Sequence, residues 1–492
     1  MVNFFLISKL NKNSLKVKLQ YIALALGPLV FIIIQWANPQ FWFPEIGWDV
    51  FSIALWMIIW WIFEAIPIFA TALLPMVLFP STSVFNLTEA TSPYASPIIF
   101  LFMGGFMLAL AMEKHQLHRR IALNLIRLTG TNANGIILGF MLATAVLSMW
   151  ISNTATAVMM LPIALSVVKL LEVHENTFSG FNRFKTALFL GIAYSANVGG
   201  MGTIIGTPPN VVLVGLVKSI LGIEISFVSW LIIGIPSVAV MLFLIYHMLT
   251  KVLFRHGITK IEKAELYIGQ ELKQLGSWSK EEKWVAVIFG LTAFCWIFKS
   301  QINTLLGTPI LNDTVTAMSG GLATFLIPLN KSGKMLMNWE DMKNLPWGIL
   351  ILFGGGMTLA KAMETAGFVD MIGEAISQYQ NIPVWALVLI LTALALFLTE
   401  VMSNVALTTI AIPMVLSIAN GLDIDPLLLA IPVAMATSCA FMMPISTPPN
   451  AIVFSSGYIN MKQMVRAGIL LNIIAVIVLV ITGYFLAPFV GA

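Results

Sequence analysis

A chain of 492 residues in which 59% are hydrophobic and 10% are charged, with a mean hydropathy of +0.93, lacks the polar surface of a soluble globule, where about 25% of residues carry charge. The formal net charge of +4 is small and scattered, which argues against a nucleic-acid partner. Cys295 and Cys439 sit in apolar runs without disulfide or zinc spacing, and no nucleophile–base pair stands out, so neither an enzyme nor a cofactor protein is expected.

Residues 1–19 form a lysine-bearing arm without a small-residue cleavage site, which reads as a cytoplasmic segment ahead of the first span. Apolar runs near 20–36 and 50–80 fill residues 20–90. A first repeat unit over 91–254 contains runs at 97–112, 135–173 and 186–254. The stretch 255–283 is the one substantial polar loop, and 284–345 holds two more runs. A second unit, 346–492, repeats the first layout with runs at 347–363, 383–417, 427–457 and 467–490. The fold class is therefore an all-α polytopic membrane protein of about eleven transmembrane helices.

Glycine clusters at Gly104-Gly105 and Gly354-Gly355-Gly356 interrupt short apolar segments that begin near Pro97 and Pro346. Both are expected to be re-entrant hairpins, with plain helices packed closely through glycine as the alternative. Lys9, Lys12, Lys16 and Lys18 in the arm, Lys114, Arg119, Arg120 and Arg127 after the first glycine segment, and the basic residues of the polar loop place all three on the cytoplasmic side. No Lys or Arg occurs from 362 to 461, so the second unit is expected to be inverted relative to the first.

The units share one polar constellation. Ser152-Asn153-Thr154 recurs as Ser403-Asn404-Val405 at an offset of 251, which also relates Gly104 to Gly355, Glu113 to Glu364 and Pro162 to Pro413. Downstream, GTPPN at 206–210 is echoed by STPPN at 446–450. Ser and Asn inside apolar runs are costly without partners. If each helix breaks there, the pair caps a half-helix whose free N–H groups and positive dipole end favour an anion. Two such ends suit a molecule with two carboxylates. The paired prolines free upstream carbonyls, which together with hydroxyls make hard oxygen ligands for a small alkali cation. One set is Ser148, Ser152, Asn153 and Gly206; the other is Thr399, Met402 through its carbonyl, Asn404 and Ser446. No acidic residue belongs to either set. The five histidines lie near membrane edges or in loops, and Glu64 reads as a packing or interfacial residue before a proton site.

SNTATAVMMLP, SNVALTT, GTPPN and STPPNAIVFSSG resemble the divalent anion:sodium symporter family of INDY-type dicarboxylate transporters, over roughly 20–490. The resemblance implies a homodimer whose protomers pair scaffold helices (20–90 and 284–345) with a mobile transport domain that moves as an elevator. It implies succinate-like C4 or C5 dicarboxylates, α-ketoglutarate among them, as substrate and Na+ as coupling ion, in the plasma membrane. Substrate contacts carry over to Ser152, Asn153, Thr154, Thr207, Ser403, Asn404, Thr447 and Pro448, and the two sodium sites to the two oxygen sets. Two departures stand out. Val405 replaces a hydroxyl, and Lys361 stands where the first unit has Leu110. A fixed charge at Lys361 would suit Na+-independent dicarboxylate exchange, whereas a snorkelling lysine would leave sodium symport in place. A passive anion channel is the alternative of a different class.

Overall fold

The computed structural model describes residues 2–37, 45–130, 132–175, 180–258, 262–329, 333–368, 371 and 382–491. Among them the chain is helical apart from one isolated β-bridge, Pro328 to Met335. Six helices are long and apolar enough to cross a membrane, and a seventh candidate, Lys280–Ile297 with Lys299–Leu306, is bent by 76°. Six further apolar helices of 10–17 residues are too short to span alone, so about eleven passes are reached only by counting broken ones.

The site is positioned by five helices in each unit, numbered here as two parallel sets. The first set is α1 (Pro97–Lys114), α2 (Ala133–Ser148), α3 (Asn153–Glu175), α4 (Phe181–Gly200) and α5 (Pro208–Leu221). The second is α6 (Trp347–Thr365), α7 (Val384–Thr399), α8 (Asn404–Gly421), α9 (Pro426–Thr437) and α10 (Pro448–Ser455). Each helix corresponds to the one five places later.

The glycine segments are not hairpins. α1 and α6 run unbroken through Gly104-Gly105 and Gly354-Gly355-Gly356. Their glycines serve close approach instead: a β-carbon on Gly104 would strike the backbone of Ala317, and one on Gly355 the backbone of Ala72. Packing two helices at that separation needs a residue without a side chain. The turns fall at the Ser-Asn motifs, where four residues, Met149 to Ser152, join α2 to α3 and the equivalent stretch joins α7 to α8.

Local chemistry explains these breaks. Ser403 caps α8 with an extended backbone (φ −63°, ψ 126°), its hydroxyl accepting from the Ala406 N–H at 3.5 Å, and Ser152 does the same for the Ala155 N–H at 3.2 Å. The paired prolines open α5 and α10, where a missing N–H costs nothing.

The polar loop is more structured than expected. It contains a helix, Glu262–Gln274, anchored to the amphipathic helix Leu117–Leu128. Arg119 pairs with Glu271 at 2.5 Å. The buried Arg120 makes two bonds to Glu282, at 2.8 and 3.0 Å, and donates to the Gly276 carbonyl at 3.0 Å.

Candidate substrate and cation site

The two motif turns meet at one cleft of about 720 Å³. Ser152, Asn153, Thr154, Gly206 and Thr207 line it from the first unit. Met402, Ser403, Asn404, Val405, Ser446, Thr447 and Pro448 line it from the second. Residues separated by up to 296 positions in the chain therefore share one wall-to-wall space, as the duplicated motif requires.

Ser148 and Thr399 are fully buried and lie behind that surface. Ser148 Oγ donates to Asn153 Oδ1 at 2.6 Å and also lies 2.7 Å from the Ala196 carbonyl. Thr399 Oγ1 repeats the pattern, 2.8 Å from Asn404 Oδ1 and 2.9 Å from the Thr437 carbonyl. Each hydroxyl thus holds a carboxamide by its oxygen. Neither amide nitrogen has a hydrogen-bond partner among the described residues, so each presents two donors to the cleft. Val405 costs the second motif a hydroxyl, but its backbone N–H in the first turn of α8 does not depend on the side chain.

The carbonyls released before the prolines are partly claimed by asparagines. Asn210 Nδ2 donates to the carbonyls of Gly200 (3.3 Å) and Thr203 (2.8 Å), and Asn450 Nδ2 to those of Ala440 and Met443, both at 3.0 Å. These four acceptors correspond at an offset of 240, so the two units fold alike in detail. The Gly206 carbonyl stays in the oxygen set. The point a β-carbon would occupy on Gly200 lies 2.7 Å from Asn153 Oδ1 and 3.1 Å from both Asn153 Nδ2 and the Gly206 carbonyl oxygen. Asn153 and Gly206 therefore close directly over Gly200, where no side chain fits.

Two functional candidates escaped the sequence reading. Glu400, 3% exposed, lines the cleft one residue after Thr399, which corrects the expectation of a site without acid. Its Oε1 accepts from the N–H groups of Phe441 (2.8 Å) and Met442 (2.9 Å) and from Asn472 Nδ2 (2.8 Å), and its Oε2 from Ser446 Oγ (2.6 Å). A lone acid four residues before Asn404 in an apolar run was the available signal. Asn197 donates to Thr447 Oγ1 at 3.1 Å and to Asn450 Oδ1 at 3.3 Å, tying α4 to α10. Its counterpart at the offset of 240 is Thr437, so the repeat concealed it.

Lys361 does not line the cleft. It is partly buried on α6, its ammonium 5.4 Å from the centre of the Phe85 ring. No histidine lines the cleft either, among the described residues. Glu64 does, with a positive φ of 47°, and its carbonyl accepts from Gln20 Nε2 at 3.1 Å.

Helices broken at a central polar cleft within a polytopic membrane protein define the class of broken-helix, repeat-built membrane transporters. The sequence model described as "Sodium:sulfate symporter transmembrane region" matches residues 19–491, so the chain belongs to that family, the divalent anion:sodium symporters. It is 41% identical over 475 residues to the sodium-dependent dicarboxylate transporter SdcS of Staphylococcus saprophyticus, covering 95% of this chain and 92% of the relative. The SdcS of Staphylococcus aureus strain USA300 is 41% identical over 479 residues, covering 96% and 92%. Two solved structures share the fold at low identity. Neisseria gonorrhoeae MtrF, from a class of antimetabolite efflux pumps, gives a TM-score of 0.57 at 10% identity over 92% of this chain and 97% of that one. The Alcanivorax borkumensis YdaH transporter gives 0.58 at 12% identity over 89% and 98%.

Proposed function

We infer that the protein is a secondary active transporter that carries C4 or C5 dicarboxylates, succinate-like in shape, together with Na+. The observation that carries this reading is the pair of outward-turned carboxamides, Asn153 and Asn404, each pinned through its oxygen and presenting N–H donors to one cleft. One carboxylate of the substrate is held by Asn153, Ser152, Thr154 and Thr207, and the other by Asn404, Ser403, Thr447 and the backbone at Val405. Paired donors of this kind are strong for an ionised acceptor. Na+ is bound by Ser148, Ser152, Asn153 and Gly206 in one set and by Thr399, Met402, Asn404 and Ser446 in the other, lowering the cost of two carboxylates at membrane depth. The names of the SdcS relatives support the same substrate and ion.

The proposed setting is the plasma membrane with the N-terminus in the cytoplasm, as a homodimer whose transport domain moves against scaffold helices at 20–90 and 284–345. Fixed charge compensation by Lys361 is not favoured, because the lysine stands away from the cleft described here. Purified protein in liposomes tests the reading. Labelled succinate should accumulate in empty vesicles only with an inward Na+ gradient, and above its outside concentration. Uptake confined to succinate-loaded vesicles and indifferent to Na+ would establish exchange, and downhill flux alone a channel.

A further inference from the structure

The open cleft has a closed counterpart. A packing gap of about 10 Å³ lies where α5 meets α6, its wall including Ile98, Phe353, Gly356 and Met357. The offset of 251 pairs Met357 with Phe106 and Ile98 with Ile349, and both partners line the open cleft. The gap thus marks, in the opposite unit, the helix contact that corresponds to one edge of the open cleft. Helix packing agrees. α5 packs against α6, α8 and α9. Its equivalent α10 packs against α3 and α4, the equivalents of α8 and α9, but α1, the equivalent of α6, faces it across the cleft.

Exchange of the two arrangements requires α5 to part from α6, as α10 now stands apart from α1, so that α5 and α10 move while α1 and α6 stay with the scaffold helices they pack on, Asp313–Leu326 and Glu45–Phe63 respectively. The stripe on α1 that faces the cleft is Phe106, Ala109, Leu110 and Glu113. Its spacing marks one helical face, and its counterparts on α6 are Met357, Ala360, Lys361 and Glu364. The stripes differ in charge at one position, Lys361 in place of Leu110, and in an apolar side chain at another, Met357 in place of Phe106. Among the described residues the present cleft is lined by Glu64, Glu113 and Glu400 and by no Lys, Arg or His.

We propose that Lys361 lines the oppositely facing vestibule and there attracts and positions the incoming dicarboxylate, while the carboxylate-lined cleft on this side favours its release. The proposal rests on the alternating-access reading above. A cation at a low-dielectric mouth raises the local concentration of a dianion, and the opposing glutamates lower it on the other side. In the present state the ammonium is parked against the Phe85 ring, which compensates part of its desolvation.

The test uses the full chain in oriented vesicles, with Cys295 replaced by Ser and the fully buried Cys439 retained. A membrane-impermeant maleimide should modify Lys361→Cys from one face and Leu110→Cys from the other, with succinate and Na+ slowing the first. In uptake assays Lys361→Gln should raise the half-saturating external succinate concentration roughly 3- to 10-fold and leave the maximal rate within about twofold, as loss of one steering charge implies. Lys361→Arg should restore the wild-type value. Labelling of both cysteines from the same face, or of neither while wild-type uptake persists, overturns the proposal and leaves the transport reading intact. A Lys361→Gln protein with reduced maximal rate at unchanged half-saturation overturns it as well, assigning the lysine to packing against Phe85. Absence of gradient-driven uptake by the wild type removes the underlying transport reading itself.

Discussion

Glu400 Oε2 accepts a hydrogen bond from Ser446 Oγ at 2.6 Å, joining the turn before the second Ser-Asn motif to the residue that opens the second proline segment. The first unit has no such link, because Met149 occupies the position equivalent to Glu400. The second oxygen set therefore has a carboxylate bonded to one of its members, Ser446, where the first has none, although the hydrogen-bond frames of Asn153 and Asn404 match. Glu400→Gln keeps Oε1 for its three N–H donors and removes the charge. A unit charge at about 6 Å contributes on the order of 2–3 kcal/mol at an effective dielectric of 20. The half-saturating Na+ concentration of uptake should rise about 10-fold or more, with expression and thermal stability near wild type. Unchanged Na+ dependence would reduce Glu400 to an anchor for the loop at Phe441 and Met442.

Asn153→Ala and Asn404→Ala should each abolish uptake while the protein inserts and purifies normally. Either change removes a donor to a carboxylate and strands a buried hydroxyl, Ser148 or Thr399, with one fewer partner. Loss of a hydrogen bond to a charged group is worth about 1.5–3 kcal/mol, so residual binding by calorimetry should weaken roughly 10- to 100-fold. Near-normal transport by either well-inserted variant would contradict the assignment of the site.

Gly200→Ala tests the first oxygen set by displacing two of its proposed ligands without replacing either. The added methyl would stand 2.7 Å from Asn153 Oδ1 and 3.1 Å from the Gly206 carbonyl oxygen. Na+-dependent uptake should fall more than about 10-fold, since a 1 Å displacement of a positioning group can cost on the order of 100-fold. Full activity with unchanged Na+ dependence would mean that Asn153 and Gly206 hold no ion together.

Arg120→Met should cost stability and not substrate affinity. It leaves Glu282 buried without its cation and three loop carbonyls, those of Leu275, Gly276 and Ser277, without a donor. Breaking one side of a buried pair costs about 3–5 kcal/mol, read as a lower unfolding midpoint in detergent. An unchanged midpoint would show that the segment 275–282 is held by other contacts.

The duplicated Ser-Asn and Thr-Pro-Pro-Asn segments placed most of the site from sequence because their effect on the backbone is local. A serine that caps a helix, or a proline pair that opens one, acts within a few residues wherever the chain carries it. Repetition then implied that the two breaks share one cleft, and Asn153, Asn404, Thr207 and Thr447 do line it. Glycine is ambiguous in this respect, since the same missing side chain permits a tight turn or a close helix contact. Only Ala317 and Ala72, lying against Gly104 and Gly355, decided for the second. Glu400 and Asn197 belong to the tertiary structure for a similar reason. The partners of Glu400 lie 41 to 72 residues away, and those of Asn197 beyond 240. A buried carboxylate has no function that can be read before its donors are known, because burial without them would be prohibitive and burial with them makes it an anchor. Lys361 follows the same rule, its side chain directed toward Phe85 by the packing of α6 and not by anything in its own segment.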